Sequence, residues 1–127
     1  MVTYLKTDTA PPPFSNYSQA VEVAPGSRFI AVSGQVGVDL DGNLADTEEG
    51  QQDQTWRNIL AILESANMGP ENIVEVTTYI TPKASVAACR QARDRALKGA
   101  KPASTLLIIS GLADPAWMVE ISVVAAG

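Results

Sequence analysis

The sequence predicts an α+β domain, a mixed sheet with two helices packed on one of its faces. Six short apolar or alternating runs read as strands and two longer stretches carry helical spacing, in the order β-β-β-α-β-α-β-β. Two helices are too few to cover both faces of such a sheet. Charge is also scarce: the 127 residues are 46% hydrophobic and 18% charged, where an average soluble domain carries about 25% charged residues. A bare sheet face and a shortage of charge are both explained by burial against further copies of the chain, so an oligomer is expected.

The elements follow in order. Val2 to Lys6 forms a short strand, and Pro11-Pro12-Pro13 then imposes a stiff extended stretch that cannot lie inside a central strand. Ser18 to Ala24 alternates Ala20 and Glu22 against Val21 and Val23. Pro25-Gly26-Ser27 reads as a turn into a strand from Phe29 to Ser33, and these two strands are expected to pair as a hairpin that ends at Gly34. Asp39-Leu40-Asp41-Gly42-Asn43 is turn chemistry. Trp56, Ile59, Leu60, Leu63 and Asn67 share one helical face, with Thr47-Glu48-Glu49 as an acidic start and Gly69-Pro70 as the stop. Ile73 to Thr81 sets Val74, Val76, Thr78 and Ile80 against Glu75, Thr77, Tyr79 and Thr81, as in a half-buried strand. Ser85 caps a second helix to Leu97, with Val86, Cys89, Arg93 and Ala96 on one side. Thr105 to Ile109 and Met118 to Ala125 are the last two strands.

Composition excludes several function classes. The net charge is −5, and four of the nine basic residues fall between Arg90 and Lys98, which is one helix face and no phosphate-binding surface. The absence of histidine removes the usual acid–base pair of a metal-free ribonuclease and the commonest metal ligand. The single cysteine, Cys89, forms no internal disulfide and reads as a small buried hydrophobe. No glycine-rich phosphate loop follows a strand, and Asp39, Asp41 and Asn43 are too few for a calcium loop. The expectation is one domain over residues 1–127 with no metal or organic cofactor, no nucleic-acid partner and no membrane. No apolar run approaches 18 residues and no basic segment precedes an apolar stretch, so a cytoplasmic location is expected.

A few residues are left that can carry chemistry. Glu120 stands in the apolar run Met118 to Val124. It lies either on a solvated strand face or in a desolvated site, where a carboxylate becomes a proton carrier near neutral pH. Tyr17 is either a loop aromatic packed on its neighbours or a ligand wall with a phenolic hydroxyl. Ser33 reads as a strand-end residue or a hydrogen-bonding group, and Arg90 as a solvated helix arginine or an anion clasp. Gly111 to Trp117, with Pro115 inside it, joins the last two strands.

Four blocks, in order, narrow these alternatives: Tyr17-Ser18-Gln19-Ala20, Val32-Ser33-Gly34-Gln35, Pro102-Ala103-Ser104-Thr105, and Glu120. Together they resemble the RidA (YjgF, L-PSP) family of small imine/enamine deaminases, and the resemblance spans nearly the whole chain. It implies a chorismate-mutase-like protomer, a homotrimer around a central barrel, and small-molecule clefts between subunits. By resemblance Glu120 orients the water that hydrolyses an imine, releasing ammonia and a carbonyl compound. Tyr17, Ser33, Ser104, Thr105 and the Pro115 loop line the cleft, and Arg90 falls near a cleft-lining helix position. In active members the third residue of the Pro102 block is an arginine that grips the substrate carboxylate; here it is Ser104. A non-standard substrate is therefore expected. The rival expectation is a non-catalytic trimer that binds a metabolite or a partner protein, with ribonuclease activity a distant third.

Overall fold

A computed structural model describes residues 2–127. Its strands are β1 (Val2–Leu5), β2 (Ala20–Val23), β3 (Phe29–Gln35), β4 (Ile73–Ile80), β5 (Ala103–Ile108) and β6 (Val119–Ala126), and its helices are α1 (Glu48–Glu64) and α2 (Val86–Leu97). The main sheet has the order β3-β6-β4-β5, with β4 and β5 parallel and β6 antiparallel to both its neighbours. The parallel pair needs a crossover, which α2 supplies.

The expected hairpin does not form. β2 pairs instead with β1, in the register Val2↔Val23 to Leu5↔Ala20. The turn before β3 is present, with Gly26 at φ 82° and the Ser27 N–H donating to the Ala24 carbonyl. Arg28 and Gly127 then exchange both backbone hydrogen bonds, so the chain leaves the turn onto β6 rather than back onto β2. There Ile30 and Val32 meet Ala125 and Val123, an eight-residue apolar partner that the four residues of β2 cannot match. Nor does Gly34 end the strand: β3 runs on to Gln35 through a bulge between Val32 and Gln35.

The helices start for the reasons their sequences give, but α1 ends at Glu64, short of Gly69-Pro70, and Asn67 lies beyond it, exposed, at φ 58°. The Thr47 hydroxyl accepts from the Gly50 N–H to open α1, and the Ser85 hydroxyl accepts from the Ala88 N–H to open α2. The Glu48 carboxylate accepts from the Ser85 N–H, which ties the two starts together. Trp56, Ile59 and Leu63 of α1 and Cys89, Ala92 and Leu97 of α2 are buried against the sheet. The alternation expected for β4 holds from Val76 to Ile80; upstream, an irregularity between Ile73 and Glu75 shifts its phase and buries Ile73, and downstream Thr81 lies beyond the strand and is buried.

Pairing register assigns the two faces of the sheet. Val119, Ile121, Val123 and Ala125 are buried under the helices, so Glu120, Ser122 and Val124 lie on the opposite face. Tyr79 and Leu107 share the row of Glu120, and Thr77 and Thr105 share the row of Ser122. Among the described residues no helix covers this face, and Phe29 and Leu107 stand 65% and 46% exposed on it. The chain exposes 7197 Å², where a folded monomer of its 13.4 kDa exposes about 6,500 Å². Among the described residues no helix is long and apolar enough to cross a membrane.

Candidate functional site

Glu120 is the second residue of β6, opposite Tyr79 and beside the β3 bulge. Its side chain runs over Gly34. A Cβ at Gly34 would stand 2.0 Å from Glu120 Oε2 and 3.0 Å from its Cγ, so only glycine leaves the carboxylate this seat. No described residue donates a hydrogen bond or an ion pair to that carboxylate, which is half-buried and free to take a partner. Ser33 precedes Gly34 in the same bulge, its carbonyl accepting from Gln35 Nε2. Ser33 and Glu120 are thus brought to one place by the bulge.

Tyr17 and the Pro102 block meet elsewhere. The Ser18 N–H donates to the Pro102 carbonyl at 3.2 Å, and Ser18 bridges to Ala103 at the start of β5. The Tyr17 hydroxyl accepts from the Phe14 N–H, closing a tight loop. Arg93, buried on α2, holds that loop: its guanidinium donates to Ser15 Oγ and to Asp94 Oδ1, while Asn16 Nδ2 donates to Asp94 Oδ2. Thr105 pairs with Thr77 and lies on the open face, whereas Ser104 pairs with the buried Val76 and lies on the helix side of this edge strand. Thr105 and Glu120 are two rows and two strands apart, about 12 Å by ordinary strand spacings. Within one chain they stand apart on the open face.

Arg90 is half-buried on α2 and forms no ion pair with a described residue. Pro115 is exposed in the loop before β6. That loop is pinned by the Asp114 carboxylate, which accepts from the Ala116 N–H, and by Gln51, whose amide donates to the Ala116 carbonyl and accepts from the Met118 N–H. Gln51 therefore sets where β6, and with it Glu120, begins. Among the described residues no cluster of three or more His, Cys, Asp or Glu is placed to hold a metal ion.

The matches with known proteins agree with this architecture. Residues 7–127 match the family described as endoribonuclease L-PSP. The chain belongs to this family. A RutC family protein of Aquifex aeolicus is 46% identical over 78 residues, covering 61% of this chain and 60% of that protein's length. One from Pyrococcus abyssi is 33% identical over 109 residues, 84% of this chain and 83% of its own. Among solved structures, YyfB of Yersinia pestis, described as a Rid-family protein of unknown function, superposes with a TM-score of 0.86 at 28% identity, over 99% of this chain and 98% of its own. RidA from an Antarctic Psychrobacter superposes at 0.73 with 27% identity, over 97% and 98%.

In this L-PSP-family chain, sequence reasoning singled out Glu120 but missed what seats it. Gly34 read as a strand end; the signal was a glycine two residues after the last helix-facing valine, in a strand with no other need for one. Gln51 and Asp94 went unread, and Arg93 was placed on the apolar side of its helix without a role; the burial of Gln51 and Arg93 and the hydrogen bonds they make mark them as positioning groups. Cys89 behaves as expected of a buried thiol: burial pushes its pKa up to about 11, against the opposing pull of Arg93. A thiol held protonated in the fold contributes stability that is complete below its unfolded value and is lost as the pH rises toward 11. Urea unfolding of wild type and Cys89→Ala between pH 9 and 11 is expected to show the wild type losing more stability across that window. Parallel curves would contradict it.

Proposed function

We propose that the chain is a hydrolytic deaminase of reactive imines or enamines, working as a cytoplasmic homotrimer with small-molecule clefts between subunits. The observation that carries this reading is the Glu120 carboxylate, seated on Gly34 on an uncovered sheet face with no partner among the described residues. A carboxylate left free at a half-buried position is available for proton transfer. The separation of Glu120 from Thr105 within one chain supports a site completed by a second copy, whose Tyr17 and Pro102 blocks would face it across the seam.

In this reading Glu120 accepts a proton from a water as the water oxygen attacks the imine carbon. It returns that proton to nitrogen, giving a carbinolamine, then carries the hydroxyl proton to the same nitrogen as the C–N bond breaks, the C=O bond forms and ammonia leaves. Atoms balance with water as the only co-reactant, and no metal or organic cofactor is required. Ser33 and Thr105 supply hydroxyls to the ligand, the Pro115 loop forms a lip, and α2 offers Arg90 as a cation from the helix side of the sheet. Ser104, on the helix side of edge strand β5, offers a ligand reaching that edge one neutral hydrogen bond where an arginine would give a charge-assisted, two-pronged clasp, a difference that costs a carboxylate-bearing substrate about tenfold in affinity.

The test is ammonia release from a 2-aminoacrylate-type imine by wild type and by Ser104→Arg. The variant is expected to turn over this carboxylate substrate about tenfold faster than wild type at low substrate concentration. Absence of ammonia release from both, with assembly intact, would replace the deaminase by a binding module.

A further inference from the structure

A sizeable concavity on the chain lies away from Glu120. A groove of about 490 Å³ opens between β1, the proline-rich segment and the start of the Tyr17 block. Its volume is that of an ordinary small-molecule site. Tyr4, Tyr17, Pro12 and Pro13 give it apolar walls, and neither Glu120 nor Ser104 lines it.

The groove is built rather than incidental. Gln19 spends its whole side chain on shaping the wall: its Oε1 accepts from the Thr7 N–H at 2.7 Å, and its Nε2 donates to the carbonyls of Pro11, Thr7 and Ala10. The three prolines stiffen the same stretch. On the far side, the Lys101 backbone N–H donates to the Tyr4 hydroxyl at 3.1 Å, which sets the root of the Lys101 side chain beside the ring.

Its charge is the other feature. Lys6 and Lys101 both line the groove, and neither forms an ion pair with a described residue. Asp8 lines it as well, leaving one net positive charge in a chain whose net charge is −5. Two aromatic rings, two rigid prolines and unpaired ammonium groups select an organic anion with an apolar body. A bare phosphate would leave the walls unused, and a neutral hydrophobe would leave the lysines unused.

We propose that this groove is a second ligand site, for a monocarboxylate carrying an aromatic or branched apolar group, with Lys6 and Lys101 meeting the carboxylate and Tyr4 and Tyr17 flanking the body. The site shares Tyr17 with the deaminase reading but does not depend on it.

Titrating the ¹⁵N-labelled protein with 3-phenylpropionate and following the amide resonances tests it. Saturable shifts are expected at Lys6, Thr7, Ser18, Gln19 and Lys101. Affinity should fall about tenfold both for the neutral 3-phenylpropionamide and in a Lys6→Gln, Lys101→Gln double variant whose other resonances stay native. Glu120→Gln should leave the titration unchanged, which separates this site from the deaminase cleft. Equal affinity for acid and amide, shifts centred on Gly34 and Glu120, or no saturable shift would each overturn the proposal.

Discussion

Glu120→Gln is expected to lower imine turnover by about 100-fold or more, because the amide keeps the size and the contacts of the carboxylate but can no longer carry the proton. Gly34→Ala should reach a similar loss by a different route. The new Cβ would lie 2.0 Å from Glu120 Oε2, which is the far end of a flexible side chain, so the carboxylate swings away and the backbone stays. Stability should change by about 1 kcal/mol or less, while misplacing a reacting group by an ångström or so costs roughly 100-fold in rate. Ammonia-release rates and urea midpoints on the two variants check both halves. A Gly34→Ala protein with full activity would remove this seat from the mechanism.

Gly37→Ala is expected to fail in the opposite manner, through the fold. A Cβ there would come within 2.5 Å of the Gln51 Cα and 2.8 Å of its carbonyl oxygen. These are backbone atoms of α1, and no side-chain rotation relieves the overlap. The cost should be about 3 kcal/mol, the upper range for overpacking, read as a lowered urea midpoint. Because Gln51 holds Ala116 and Met118, the variant should also disturb the Pro115 loop and the start of β6. A midpoint equal to wild type would contradict a close approach of the segment after β3 to α1. The pair of glycines, three residues apart, thus separates a positioning role from a structural one.

Much of this architecture is legible in the residues. The i, i+3, i+4, i+7 spacing of Trp56, Ile59 and Leu63 reports burial directly, and Thr47 and Ser85 mark their helix starts because a hydroxyl there has one obvious use. The uncovered sheet face follows from counting helices against strands. What the sequence hides is pairing. Pro25-Gly26-Ser27 does make its turn, but a turn fixes only the local path, and β2 and β3 part because β6 offers β3 a longer apolar edge. The site is legible in the same uneven way. Glu120 stands out as a charge in an apolar strand, whereas Gly34 matters for the side chain it lacks, and its meaning depends on a residue 86 positions away. Ser104 and Thr105 are neighbours in sequence yet face opposite sides of the sheet, a distinction that register alone decides.

Glu120 works in a seam only if other copies of the chain cover the bare face of the sheet. Sedimentation equilibrium of the wild type at micromolar concentration tests this most directly. The predicted result is a single species of three times the 13.4 kDa chain mass; a species of one chain mass would contradict it.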